Sequence, residues 1–369
     1  MSRQCLSVFV IVVLLPLLSV TACRSSPTPT PTSEPTPRPV FTEVPTPTLT
    51  PEPTATNTPE PTPTRNPNVN PLTGEQVSDP EVLRHRPILI RYGHDRVARP
   101  PSGLGSADVV FEEAAEGGFI TRITAVFLDT LPEVAGPVRS ARPAVIDMVW
   151  QMNGVLVYAG ASGGTQWLLV NEQPCPLYWH TGHGSNLFFR SSSKPSPHNL
   201  YIRPADVRQR MIAEEIDIPQ ELRGWPFSET PPAGSPATRI HVPHPWMAVA
   251  DYAYDEASGT YLRFVEGVPH TDALTGKQLA PANVIVLYAE YKVSDIVEDR
   301  LGNLAFFVTL VGQGRAQVFR DGVMVDGTWQ RDAKDRMFIF RAEDGQEIPL
   351  KPGQTWIDIV PLDAQVRVQ

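Results

Sequence analysis

The sequence predicts an α/β protein whose first folded half mixes strands with helices and whose smaller second half is rich in strands. Three observations predict it. Residues 67–235 interleave short apolar runs of strand type with two stretches of helical pattern. In residues 236–369 almost every apolar run is short and bounded by Gly, Pro or Asp. The segment 223–236, rich in Pro and Gly, separates the two halves.

The elements follow in chain order. Arg3 precedes an apolar run from Leu6 to Val20, which Pro16 and Ser19 interrupt. It is too short for a spanning helix and fits an export signal over residues 1–22. Val20-Thr21-Ala22-Cys23 then resembles a bacterial lipobox, in which the Cys is acylated and the chain is cut before it. The expectation is an extracytoplasmic protein held to the cell membrane by lipid on Cys23. Residues 23–66 alternate Pro with Thr or Ser, a composition that cannot bury a core. About 40 such residues in polyproline II, at about 3.1 Å each, span roughly 120 Å. They form a stalk.

After the stalk, 87–92, 108–116 and 120–128 read as strands. Ser140 is expected to cap a helix over 141–152, which tolerates Pro143 in its first turn and stops at Asn153-Gly154. A buried-type strand over 154–160 and a helix over 165–171 follow. The second half offers strands at 249–254, 261–265, 284–291, 304–310, 316–320, 324–329, 337–341 and 355–360, with Asp321-Gly322 and Asp344-Gly345 as turns. Leu72-Thr73-Gly74 and Leu274-Thr275-Gly276 echo each other, and each reads as a turn.

Charge and cysteine usage exclude several classes. The net charge of -9 argues against a nucleic-acid partner. Of three cysteines, Cys5 belongs to the signal, Cys23 to the lipid, and Cys175 is left between Pro174 and Pro176, so no disulfide framework is expected. His180 and His183 with Cys175, and His241 with His244, lack a complete ligand set and predict no metal. There is no phosphate loop, Gly-x-Ser-x-Gly elbow, His-Glu-x-x-His or EF-hand loop, and no cofactor is expected.

Several blocks resemble one family. They are Ala107-Asp108-Val109-Val110-Phe111-Glu112, Glu116-Gly117-Gly118, Thr121-Arg122, Gly136-Pro137-Val138-Arg139-Ser140-Ala141-Arg142 and Pro197-His198-Asn199-Leu200-Tyr201. Pro269-His270-Thr271-Asp272-Ala273-Leu274-Thr275-Gly276 and Pro349-Leu350-Lys351-Pro352-Gly353-Gln354-Thr355-Trp356 continue the series. The chain resembles the YerB-like lipoproteins. That resemblance implies a layered sheet-and-helix N-terminal domain over 67–235 and a smaller β-rich C-terminal domain over 236–369. It implies little chemistry, because the family's domains are of unknown function. Phe119 is an extra residue against the family pattern.

The candidate site rests on three polar groups. Strand alternation puts Asp108, Glu112 and Glu116 on one face and Glu113 on the other. A two-residue turn at Gly117-Gly118 would set Arg122 opposite Glu113. A three-residue loop ending at Phe119 would set it opposite Ala114, between Glu112 and Glu116, and this is the expected register. Arg139 and Arg142 flank a helix start, where amide donors and guanidinium forks suit a carboxylate or phosphate. Asp147, on an otherwise apolar helix, is expected to pair with a buried Arg. His198-Asn199 would shape the pocket.

The expected function is therefore binding of an anionic envelope ligand or peptide through Arg139, Arg142, Arg122, Glu112, Glu116, His198 and Asn199. A wall polymer, a peptide or a membrane protein would be the partner. Two alternatives stay open: a hydrolase or transferase using Glu112 or Glu116 with His198, or an interaction scaffold without a pocket. The first two require these groups to converge in an open cleft, and the scaffold requires them buried in mutual pairs.

Overall fold

The structure, a computed structural model, describes residues 66–172, 176–244 and 248–369. The expected signal peptide, the stalk, Cys23 and Cys175 lie outside the described residues. In the first half, β1 (Ile88–Gly93), β2 (Val109–Ala114) and β3 (Thr121–Phe127) are the expected strands. Helix α1 (Val145–Met152), strand β4 (Val155–Tyr158), helix α2 (Gly163–Glu172) and β5 (Leu177–Trp179) follow. A small hairpin, β6 (Phe188–Arg190) and β7 (Leu200–Ile202), leads into α3 (Pro204–Ala213).

The second half is nearly all strand. It runs through β8 (Ser235–Pro236), β9 (Arg239–Val242), β10 (Ala250–Asp255), β11 (Thr260–Val265), β12 (Val268–Pro269) and β13 (Asn283–Ala289). Then come β14 (Tyr291–Val297), β15 (Leu304–Val308), β16 (Gly312–Arg320), β17 (Val323–Arg331), β18 (Ile339–Ala342), β19 (Thr355–Pro361) and β20 (Arg367–Val368). β14 lies outside the predicted strands. The predicted turn at Asp321-Gly322 is a two-residue hairpin with both residues at positive φ, joining Arg320 directly to its ladder partner Val323.

The two halves share one sheet. Its order is β18-β17-β16-β13-β19-β2-β3-β1-β4-β5, with β8 beside β17. β19 is the joint: it lies parallel to β13 of its own half and parallel to β2 of the first half. Its pleat sends Ile357 and Ile359 to one face and Trp356 and Val360 to the other. On the first face, Leu89, Phe111 and Val126 pack with Val145, Met148 and Met152 of α1 and Leu169 of α2. On the second, Ile88, Ile90, Val110 and Ile123 pack with Val207 and Met211 of α3 and with Ile240, Tyr252 and Tyr261 of the five-stranded sheet β12-β11-β10-β9-β20. The result is the layered α/β arrangement, with a β-rich second half.

The expected Ser140 cap is corrected. Arg139 and Ala141 instead run extended between β1 and β4: the Arg139 N–H donates to the Arg91 carbonyl, and the Ala141 N–H to that of Gly160. The helix therefore starts only after Pro143, with Ala144 at its N-cap position and no side-chain cap. It ends as predicted, on Asn153 in the left-handed region. The two Leu-Thr-Gly echoes are indeed alike. The Gly74 and Gly276 N–H groups donate to Asn70 and Asp272 carbonyls, while the side chains of Asn70 and Asp272 accept from Leu72 and Leu274.

Candidate functional site

Three pairs of consecutive residues lie at one end of the central strands: His94-Asp95 after β1, Glu112-Glu113 on β2, and Thr121-Arg122 on β3. Alternation sends one member of each pair to each face of the sheet. Two separate charged clusters result.

The first cluster lies on the α1 side. Arg91 donates to Glu113 at 2.6 Å, both buried. The Arg142 fork donates to both oxygens of Glu116, with Arg122 at 3.8 Å from the same carboxylate and Glu298 at 3.5 Å from Arg142. Burial opposes the Glu116 charge, but the Arg142 hydrogen bonds and the two arginine charges outweigh it and hold that carboxyl at about 2. Arg139 reaches toward the surface, donating to His198 Nδ1 at 2.8 Å and to Asp95 at 3.3 Å. Gly93 makes room for it, since a Cβ there would lie 2.5 Å from Arg139 Cγ. Burial and then the Arg139 charge lower the His198 pKa, so its ring is neutral with the proton on Nε2.

The second cluster lies on the opposite face and is almost sealed. Arg263 donates to Glu112, with its guanidinium carbon 4.1 Å over the Trp356 ring. Thr121 Oγ1 donates to Glu112 at 2.6 Å, and His94 Nδ1 lies 2.8 Å from Thr121 and 3.0 Å from Glu112. The parallel pairing of β2 with β19 sets Asp358 beside Glu112, where it accepts from His244 and Tyr252 at 2.8 and 2.9 Å. Burial raises the cost of every charge here, yet Arg263, His94 and His244 hold Glu112 well below the usual carboxylate range. For His244, burial works against the proton, but Glu112 and Asp358 prevail and raise its pKa.

This geometry corrects the expected register. Arg122 stands opposite Glu113, Ala114 opposite Thr121, and the Ala115 N–H donates to the Ile120 carbonyl. Phe119 is absorbed in the four-residue loop 116–119, where Gly117 and Gly118 both take positive φ. The strand pleat ends before Glu116, which turns onto the α1 face and leaves Glu112 on the other. The predicted carboxylate pair is thus split between two clusters. Of the predicted residues, Arg122, Arg142 and Glu116 meet in one buried set, Arg139, His198 and Asn199 reach the surface, and Glu112 stands apart. His198 has no carboxylate within hydrogen-bond reach, because Asp95 lies at 3.6 Å and Arg139 occupies Nδ1. Asp147 pairs with buried Arg331 at 2.7 Å, as expected.

Glu112, His244 and Asp358 place ligand-type atoms within 4.8 Å of one another, close enough to hold a cation. Arg263 and protonated His244 already balance the two carboxylates, so the cluster is an internal ion network. His183 pairs with Glu214, His180 stacks edge-on against Phe188, and His241 pairs with Asp251. Sequence reasoning passed over His94, and it quoted His270 only within a family block. The signal for both was weak, since they are single histidines from distant segments that the sheet brings to 5.1 Å between ring centroids.

Residues 72–217 match the N-terminal domain, and residues 240–357 the C-terminal domain, of a family described as "Protein of unknown function (DUF3048)". The chain belongs to the DUF3048 family. It is 31% identical over 299 residues to the Bacillus subtilis (strain 168) protein named "Putative lipoprotein YerB", covering 79% of this chain and 86% of that one. The crystal structure of YerB from Bacillus subtilis is similar with a TM-score of 0.69 and 28% identity, covering 81% of this chain and 99% of that one. In this DUF3048 chain the Gly136–Arg142 block supplies Arg139 and Arg142, and the Thr121-Arg122 block supplies Arg122. Among the described residues, no helix is long and apolar enough to cross a membrane.

Proposed function

We propose that this DUF3048 protein is an extracytoplasmic lipoprotein, acylated on Cys23 and carried on the 23–66 stalk, that binds an anionic envelope polymer or peptide along the β6–β7 hairpin. The single observation that carries this is charge without a counter-charge. From Phe188 to Arg203 the hairpin bears Arg190, Lys194 and Arg203 and no acidic residue, in a chain of net charge -9. Each cation is held by a neutral group. Arg190 donates to the Asn199 side chain at 2.7 Å, Lys194 to the carbonyls of Ala98 and Pro100, and Arg203 lies 4.6 Å over the Phe189 ring. Arg139 and the His198 Nε2–H border the same loop and would extend this surface, although Arg139 is itself paired with Asp95. Burial lowers the Lys194 amine to about 8, which leaves it mostly charged at neutral pH.

Binding by uncompensated surface cations is screened by salt. The test is co-sedimentation of the full chain with a purified phosphate-bearing wall polymer and with a neutral glycan. The triple variant Arg190→Gln/Lys194→Gln/Arg203→Gln should lose about tenfold in affinity, and about 0.5 M salt should abolish wild-type binding. Equal binding of the neutral glycan, or undiminished binding by the folded triple variant, would sink the reading. The anchor is tested separately by palmitate labelling, which Cys23→Ser should abolish.

A further inference from the structure

A cavity of about 340 Å³ opens between the loop after β1 and the β11–β12 turn, lined by Arg96, Arg99, Val265, Glu266, Pro269 and His270 among others. Two guanidinium groups face the single lining carboxylate: Arg96 Nε is 2.7 Å and Arg99 Nη2 3.7 Å from Glu266. Glu266 and Gly267 form the two-residue β11–β12 turn, both at positive φ, which fixes the Glu266 backbone at the cavity rim.

His270 lines this cavity and is 3% exposed. Its Nδ1 faces Arg263 Nη1 at 3.4 Å, and arginine has only donors, so Nδ1 accepts and the proton sits on Nε2. Nε2 has no hydrogen-bond partner among the described residues. Against it lies His94, whose ring centroid is 5.1 Å away. Thr121 spends its own hydroxyl proton on Glu112, so His94 Nδ1 is the donor toward Thr121 and Glu112. The neutral ring then carries a lone pair on Nε2, also without a partner. Two adjacent buried rings thus offer one unused donor and one unused acceptor, each costly to leave unpaired.

A hydroxyl seated between the two rings would satisfy both, accepting from His270 Nε2 and donating to His94 Nε2. An ionised oxyanion could satisfy only the first, but it suits the two arginines at the rim. We propose that the cavity binds a small hydroxylated anion, with its carboxylate or phosphate at Arg96 and Arg99 and its hydroxyl at the histidine pair. The cavity adjoins the β6–β7 surface, since Lys194 donates to the carbonyl of the lining residue Pro100, but it uses none of the three hairpin cations.

The test is calorimetric titration of the full chain with lactate, glycerol 1-phosphate, acetate and glycerol, followed by imidazole ¹⁵N resonances of His94 and His270. Lactate or glycerol 1-phosphate should bind saturably and move the His270 Nε2 signal, with acetate and glycerol at least about tenfold weaker. Which of the first two binds better separates a carboxylate from a phosphate source. Arg96→Gln, a change at an exposed side chain that leaves the core intact, should weaken the binding about tenfold. His270→Gln should remove the discrimination against acetate. No saturable shift up to about 50 mM ligand, well beyond millimolar affinity, would overturn the proposal. So would equal binding of acetate, which would remove the hydroxyl from the histidine pair, or unchanged binding by Arg96→Gln, which would remove the anion from the arginines.

Discussion

Consider Arg142→Ala. Arg142 gives both arms of its fork to Glu116, which is 9% exposed, and Glu298 lies 3.5 Å from the same guanidinium. After truncation the nearest cation to Glu116 is Arg122 at 3.8 Å, too far for a hydrogen bond. Breaking a buried pair in this way costs about 3–5 kcal/mol, because one charge stays buried. The carboxyl itself gives a similar figure. Holding it at about 2 against its ordinary 4.5 corresponds to about 3 kcal/mol at neutral pH. In a domain of this size the melting temperature should fall by roughly 6–12 °C.

The pH dependence has a definite sign. A carboxyl whose folded pKa is depressed stabilises fully above its unfolded value of 4.5 and loses that contribution as pH falls toward about 2. Urea denaturation between pH 2 and 7 should therefore show the wild type losing stability below about 4.5, with a flatter acid limb for Arg142→Ala. The double variant Arg142→Met/Glu116→Gln leaves no unpaired charge and should recover at least about 2 kcal/mol. If Arg142→Ala unfolds within about 1 kcal/mol of wild type at pH 7, the pair is not structural. Lost polymer binding in that same variant would assign Arg142 to the ligand instead.

Two further outcomes follow from the same physics. His244 has a raised folded pKa, so its stabilising proton is fully present below about 6.5 and is lost as pH rises through that higher value. Urea midpoints between pH 5 and 9 should decline on this limb in wild type and stay level in His244→Gln. Gly154→Ala places a Cβ 2.2 Å from Leu89 Cδ1 and 2.6 Å from the Pro87 carbonyl, just before the β1–β4 pairing begins. It should cost about 1–3 kcal/mol by overpacking, and an unchanged urea midpoint would show that the two strands can spread.

What the sequence made legible was governed by local rules. Apolar periodicity and turn residues located most strands, Asn153 ended its helix, and Asp321-Gly322 closed its hairpin. Ser140 misled because a good capping residue also serves in extended chain, and β1 and β4 offered its neighbours backbone partners. The register of β2 and β3 failed for a related reason. Counting loop residues assumes that the pleat continues to the turn, whereas Glu116 leaves it and takes Arg122 and Arg142 as partners. The insertion of β19 beside β2 had no local signature at all, since parallel partners are chosen by tertiary packing across more than 200 residues.

That insertion is also what decides the chemistry. It brings Asp358 to Glu112, and with them His244, and it sets Trp356 under Arg263. With the Glu112 charge compensated by Arg263 and His244, His94 needs only orient toward it, and its Nε2 against His270 has no partner among the described residues. The arginine block that stood out in the sequence is consumed largely by the fold, because four guanidinium groups at Arg91, Arg122, Arg139 and Arg142 meet four carboxylates at Glu113, Glu116, Asp95 and Glu298. Polar groups left over after such internal pairing mark where a ligand can act. Among the described residues, the cations of the β6–β7 hairpin and the two imidazoles beside the β11–β12 turn are such groups, and the two proposed sites rest on them.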